Sequence, residues 1–316
     1  MNSMERVRSA IHFGNPDRVP VLQFNRDQEE GDILLCPLWR AVNGGNEWGY
    51  RFESRDDGTM GHPSEPVLAS WDDFPAYPHP EVAREERIAN MQPVLAQSRD
   101  HYLLGAIGLT GFNLYTFIRG FENAVLDLVL EPERAAELAD LIFGHETRQI
   151  EVAAEAGLHG VHFSDDWGSQ EGLLIDPALW RSFFKPRYKA QCDRAHELGL
   201  EVWFHSCGNI GDIIPDFHEI GVDVINISQP NVVDLDEVGC RFRGRQCFMM
   251  PISYQTVSIT GTPEEIIGEG RRLHRLLAAE NSGFIGYVEE YTCMGMTEAN
   301  YQACRDAFRL PAVSLA

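Results

Sequence analysis

Short β-rich runs alternate along this chain with helical stretches that each end on a glycine, and no other feature limits the fold so strongly. Residues 132–156 read as a long helix, with Pro132 at its start and Gly157 just past its end; residues 161–164 follow as a strand. Residues 177–198 read as helix, stopped by Gly199, and residues 201–205 as strand. Residues 210–220 read as helix, closed by Gly221, and residues 223–227 as strand. Proline suits the first helical turn, where its missing N–H is not needed, and glycine turns out of the last one without steric cost. Further strands are expected at residues 19–24, 102–107, 247–250 and 284–288, and a further helix at 263–280. Helix, glycine and strand in repeated order argue for parallel β/α units.

Residues 25–77 break the rhythm. They are polar, rich in Gly, Pro and acid, and carry Trp39, Trp48 and Trp71. Connections this long rarely lack structure of their own. This stretch is therefore read as a cap that hides one strand. Adding that strand gives about eight, which favours a closed (β/α)8 TIM barrel over an open doubly wound sheet. No G-x-G-x-x-G follows any expected strand, which counts against a dinucleotide fold. One barrel domain over residues 1–316 is expected, with 25–77 as its cap. The three tryptophans line a substrate pocket or form the cap's own small core.

The chain has 48 acidic and 26 basic residues, a formal net charge of -22, and 44% hydrophobic residues. The hydrophobic share can fill a large core. The acid excludes nucleic acid and anionic lipid as partners, because phosphate binding needs clustered cations. Seven cysteines, an odd number without framework spacing, argue against a disulfide scaffold. Residues 1–13 read as a polar helix rather than a signal segment, and no apolar run approaches the roughly 18 residues of a membrane span. A cytoplasmic protein is expected, where free cysteines are available as metal ligands.

Active sites of such barrels lie past the C-terminal ends of the strands. The residues there are Asn25 and Arg26; Asp165 and Asp166; His205 and Cys207; Gln229; Ser253 and Tyr254; and Glu289, Glu290, Tyr291 and Cys293. In an extended segment, residues i and i+2 project to one side, so His205 and Cys207 point together into the barrel mouth. Gly208 lets the chain turn at once. Zinc takes imidazole and thiolate and needs a third ligand, leaving a position open. Cys293 is the candidate, with Glu289 or Glu290 as the alternative. Asp165 or Asp166 orients His205, acts as a general acid, or simply caps the next segment. Asp17 and Arg18 read as a solvated pair.

Several motifs together resemble the uroporphyrinogen-decarboxylase-like superfamily. They are Glu5-Arg6-Val7, Pro16-Asp17-Arg18-Val19-Pro20-Val21, Arg119-Gly120-Phe121-Glu122-Asn123, and Ser164-Asp165-Asp166-Trp167-Gly168-Ser169-Gln170. Phe204-His205-Ser206-Cys207-Gly208-Asn209, Gly221-Val222-Asp223-Val224-Ile225-Asn226 and Gly261-Thr262-Pro263-Glu264-Glu265 complete the set. The matches run from residue 5 to about residue 308. The resemblance implies a (β/α)8 barrel. Its metal-free decarboxylases carry an arginine-rich segment after the first strand. Here that position reads Asn25-Arg26-Asp27-Gln28-Glu29-Glu30, which would repel a polycarboxylate.

The other branch of the superfamily, the corrinoid-linked methyltransferases and O-demethylase components, uses a zinc motif of H-x-C with a later Cys. By similarity His205, Cys207 and Cys293 map onto it. The resemblance then implies Zn2+ as Lewis acid, a corrinoid carried by a partner protein, and a methyl ether, methylamine-type or thiol substrate. Asp165, Asp166 and Tyr254 are the catalytic candidates, and Gln229 and Asn209 the corrinoid-facing ones. Asn25, Arg26, Trp48, Arg119, Trp167 and Glu289 are the substrate candidates. A homodimer is also expected. Two other readings stay open: a metal-free decarboxylase of another acid, using Arg26 and Arg119, and a non-catalytic small-molecule-binding barrel.

Overall fold

The computed structural model describes residues 1–42, 45–53, 61–63, 65–98 and 100–309. Eight parallel strands form the main sheet: β1 (Val21–Gln23), β2 (Ile33–Pro37), β3 (Tyr102–Leu109), β4 (Gly160–Ser164), β5 (Glu201–Ser206), β6 (Val224–Ile227), β7 (Cys247–Pro251) and β8 (Phe284–Val288). Their order is β1-β8-β7-β6-β5-β4-β3-β2. The two end strands are joined through Asp32 instead of a ladder. Its N–H donates to the Val21 carbonyl at 2.8 Å, and its carboxylate accepts from the Val21 N–H at 2.9 Å. The result is a nearly closed (β/α)8 TIM barrel. The strand hidden in the cap region is β2, so Cys36 belongs to the barrel wall and not to the cap.

Period-two alternation sorts the strand residues into two cores. Val161, Phe163, Val202, Phe204, Ile225 and Phe248 face the helices, while Trp203, Val224, Cys247, Met249 and Ile285 fill the lumen. Helix α1 (Ser3–Ile11), opened by an Asn2/Glu5 capping box, stoppers the lumen's lower end with Val7, Ala10 and Ile11. Asp17 and Arg18 do not pair with each other. Asp17 holds Arg6, and Arg18 holds the buried Asp32, which also accepts from Arg6 and Ser3.

The expected helix at 177–198 is two: α6 (Pro177–Phe183) and α7 (Lys185–Glu197). The break falls beside Pro186, whose missing N–H cannot continue the ladder. Two helices not foreseen, α3 (Gly111–Arg119) and α4 (Phe121–Leu130), are inserted between β3 and the long α5 (Pro132–Glu155). The described part of the cap beyond β2 holds two short hairpins and a 3-10 turn, Trp71–Ala76. No helix among the described residues is long and apolar enough to cross a membrane.

Candidate metal centre at the barrel mouth

β5 places His205 on the lumen face, two residues beyond Trp203, and the chain then brings Cys207 round to it. The Cys207 Sγ lies 3.6 Å from His205 Nε2. Asp166, just past β4, completes the group: its Oδ1 is 3.6 Å from His205 Nε2 and accepts the Cys207 N–H at 2.7 Å. One ligand atom from each of Asp166, His205 and Cys207 falls within 4.8 Å of the others. Carboxylate, imidazole and thiolate are all zinc ligand types, and three of them leave a coordination position open.

The strand beside β5 fixes the imidazole. His205 Nδ1 lies 2.6 Å from Asn226 Oδ1. The Asn226 amide donates to the Met249 carbonyl at 2.9 Å, which turns its oxygen toward the histidine. His205 Nδ1 therefore carries a proton, and Nε2 is the nitrogen turned to the cluster. Burial works to lower the His205 pKa. The hydrogen bond and charge of Cys207, the charge of Asp166 and the bond to Asn226 outweigh it and raise it to about 10.

The loops after β4 and β5 lie backbone on backbone. Gly208 has φ 76°, and a Cβ there would sit 2.0 Å from the Gly168 carbonyl oxygen. A Cβ on Gly168 would meet the Asn209 nitrogen at 2.4 Å. Glycine at both positions lets Asp166 reach the Cys207 N–H.

Opposite stands a tyrosine wall from the ends of β7 and β8. The Tyr254 and Tyr291 rings lie 5.1 Å apart, and the Tyr287 and Tyr291 hydroxyls each donate to Glu289 Oε2 at 2.8 Å. Burial first, then acidic neighbours that include Glu289 and Cys207, raise the pKa of Tyr287 and Tyr291. One layer below His205 is His162, its ring 6.1 Å away and its Nε2 buried without a partner. Burial first, then the nearby His205, lower its pKa to about 3, so it is neutral.

The other candidates are dispersed. Asp165 points away from the lumen: its carboxylate caps α3 through the N–H groups of Phe112 and Asn113, at 2.9 and 2.8 Å, and takes the Tyr188 hydroxyl. Cys293 lies exposed on a 3-10 turn, Thr292–Met294, outside the ligand group. The Asn25 side chain ties the ends of β1 and β8 together, donating to the Glu290 carbonyl at 2.9 Å and accepting from the Glu290 N–H at 2.8 Å. Arg26 is spent on Glu298 and lies over Tyr301. Arg119 is buried with Asp127 and stacks on Trp71. Neither arginine that a decarboxylase would need is at the cluster. Trp167 is fully buried, stacked on Phe112 at 4.5 Å, and Trp48 packs edge-on to His145. Asn209 faces a flanking cleft of about 610 Å³ beside Arg181 and Arg241. Gln229 accepts the Gly208 N–H at 2.9 Å and donates to the Tyr254 hydroxyl at 2.7 Å.

Asn226, His162 and Tyr287 escape a reading that looks only past the strand ends, because they lie within strands. Alternation finds them. Gly160, His162, Ser164 and Asp166 share the lumen face, whereas Val161, Phe163 and Asp165 face the helices. The same count separates Asp166 from Asp165.

The uroporphyrinogen decarboxylase (URO-D) profile matches residues 49–309. The chain belongs to the URO-D family. A solved methyltransferase from Methanosarcina mazei superposes with a TM-score of 0.76 at 14% identity, over 97% of this chain and 98% of that one. At that identity the likeness speaks for the fold, and the URO-D chain shares the barrel end to end. Weaker likenesses extend to a Gloeophyllum trabeum endo-β-1,4-xylanase (TM-score 0.43, 10% identity, 71% of this chain and 80% of that one). A psychrophilic endo-β-1,4-xylanase has a TM-score of 0.45 at 9% identity, over 94% of this chain and 99% of that one. No curated protein matches the URO-D chain.

Proposed function

We propose that this chain is a zinc-dependent methyltransferase that moves a methyl group between a small substrate and the cobalt of a separate corrinoid protein. The observation that carries the reading is the Asp166, His205 and Cys207 group, with His205 oriented by Asn226. Family membership and the methyltransferase likeness agree with it, as does the lack of arginine at the cluster. Zinc held by these three residues supplies Lewis acidity, either to a thiol acceptor whose proton it loosens or to an ether oxygen whose departure it eases.

The chain's own residues do the rest. Asn226 keeps the His205 proton on Nδ1, so that Nε2 is free to ligate. Glu289, gripped by two tyrosine hydroxyls through one oxygen, keeps the other available to take or return a proton. The tyrosine rings bound the space in which a methyl-bearing group sits. Three tyrosines and the Glu289 carboxylate offer a carboxylate substrate no opposite charge, which disfavours it.

The test combines metal analysis with a spectral assay of cob(I)alamin methylation across ethers, methylamines and methyl thioethers. Stoichiometric zinc, lost together with activity in His205→Ala and Cys207→Ala, is the expected result. A metal-free chain whose activity survives both substitutions overturns the reading.

A further inference from the structure

A run of uncharged side chains leads away from the metal centre across the loops after β7, β6 and β4. The Ser253 hydroxyl donates to Asn231 Oδ1 at 2.7 Å, and Asn231 Nδ2 to Gln255 Oε1 at 3.0 Å. Gln255 Nε2 donates to Gln170 Oε1 at 3.2 Å, and Gln170 Nε2 to Gln229 Oε1 at 3.0 Å. Gln229 ends the run on Tyr254 and on the Gly208 N–H, one residue from Cys207. Four primary amides from three loops thus form one donor-to-acceptor chain, of which Asn231, Gln255 and Gln170 are exposed.

A primary amide has two N–H donors and two carbonyl lone pairs. The chain uses one donor from each amide, so a second N–H on each exposed amide remains for an outside group. The outcome is a strip of donors and acceptors without formal charge, on a molecule whose net charge is -22. Such a strip exchanges hydrogen bonds with another amide at no cost in charge desolvation. A carboxylate could accept from these N–H groups but returns no donor to the amide carbonyls, and it meets a molecule of like net charge.

A corrin ring is fringed with primary carboxamides. We infer that the Asn231–Gln255–Gln170 strip is the edge on which the carboxamide fringe of the corrinoid docks when its cobalt faces the metal centre. The inference rests on the corrinoid-linked function proposed above and assigns a place for that group on this chain's surface.

The test is equilibrium binding of methylcobalamin, and separately of dicyanocobinamide, to the zinc-loaded full chain, read by quenching of tryptophan fluorescence. Cobyrinic acid, which has the same ring with carboxylates in place of amides, is the comparison ligand. All three amides are exposed, so Gln170→Ala, Asn231→Ala and Gln255→Ala combined in one chain leave the core untouched. Zinc content and circular dichroism check that the combined variant is intact. The expected result is binding of both amide-fringed ligands over cobyrinic acid, weakened about tenfold or more in the combined variant. Equal binding by the variant and the unsubstituted chain overturns the docking strip and leaves the proposed function standing. Equal affinity for cobyrinic acid and cobinamide overturns it as well. Failure of the unsubstituted chain to bind either amide-fringed ligand overturns the corrinoid reading itself.

Discussion

At the scale of single residues, Asp166 and Cys293 are the pair to separate. Asp166 Oδ1 already touches the Cys207 amide and lies 3.6 Å from His205 Nε2, whereas Cys293 is exposed on its turn. Asp166→Ala is expected to lower zinc affinity sharply and Cys293→Ser to leave zinc stoichiometry unchanged, as read by chelator competition and metal analysis. Asn226→Leu removes the partner that fixes the His205 tautomer and should weaken zinc binding about 10–100-fold, with no change in ligand identity. The pH dependence follows from His205. Its pKa rises from 6.5 to about 10, so the proton stabilises the metal-free fold fully below 6.5, and that contribution is lost as pH climbs toward 10. Zinc must displace this proton. Its affinity should therefore rise by up to about tenfold per pH unit through that window, with proton release visible calorimetrically in buffers of different ionisation enthalpy.

At the scale of elements, the centre depends on two turns meeting rather than on any one strand. Gly208→Ala places a Cβ against the Gly168 carbonyl at a φ that L residues resist. It should cost about 1–3 kcal/mol of stability in urea unfolding and abolish stoichiometric zinc, because Cys207 and Asp166 are pushed apart. The repeated helix–glycine–strand order made most of β3 to β8 legible. α4 was not, because its apolar residues Phe121, Leu126, Val129 and Leu130 remain exposed and so blur the amphipathic period. Strand β2 was masked because its five residues sit within a polar stretch without a following helix pattern until α2 (Arg84–Gln97).

At the scale of the whole molecule, a centre drawn from two strand ends would tie a bound metal to the fold. Zinc at about 100 times its dissociation constant adds about 2.7 kcal/mol to the folded state. For 316 residues that corresponds to a rise of about 4 °C in melting temperature by scanning calorimetry. His205→Ala should show no zinc-dependent rise. The formal net charge of -22 disfavours nucleic acid at any patch without clustered cations.

The sequence by itself determined the barrel, through the period of its glycine-closed helices and buried strands, and it determined the His205 and Cys207 pair, through i, i+2 spacing on a strand. Both are local regularities that a linear chain carries in full. Only the tertiary structure decided what joins them. Asp166 lies 39 residues from His205, and Asn226 lies 21 residues beyond it. The fold brings them together because strands β4, β5 and β6 stand side by side in one sheet. It also removed Trp167, Trp48 and Arg119 to the core and Asp165 to a helix cap. Which face of its strand or helix a polar side chain takes is settled by the apolar neighbours that must be buried beside it.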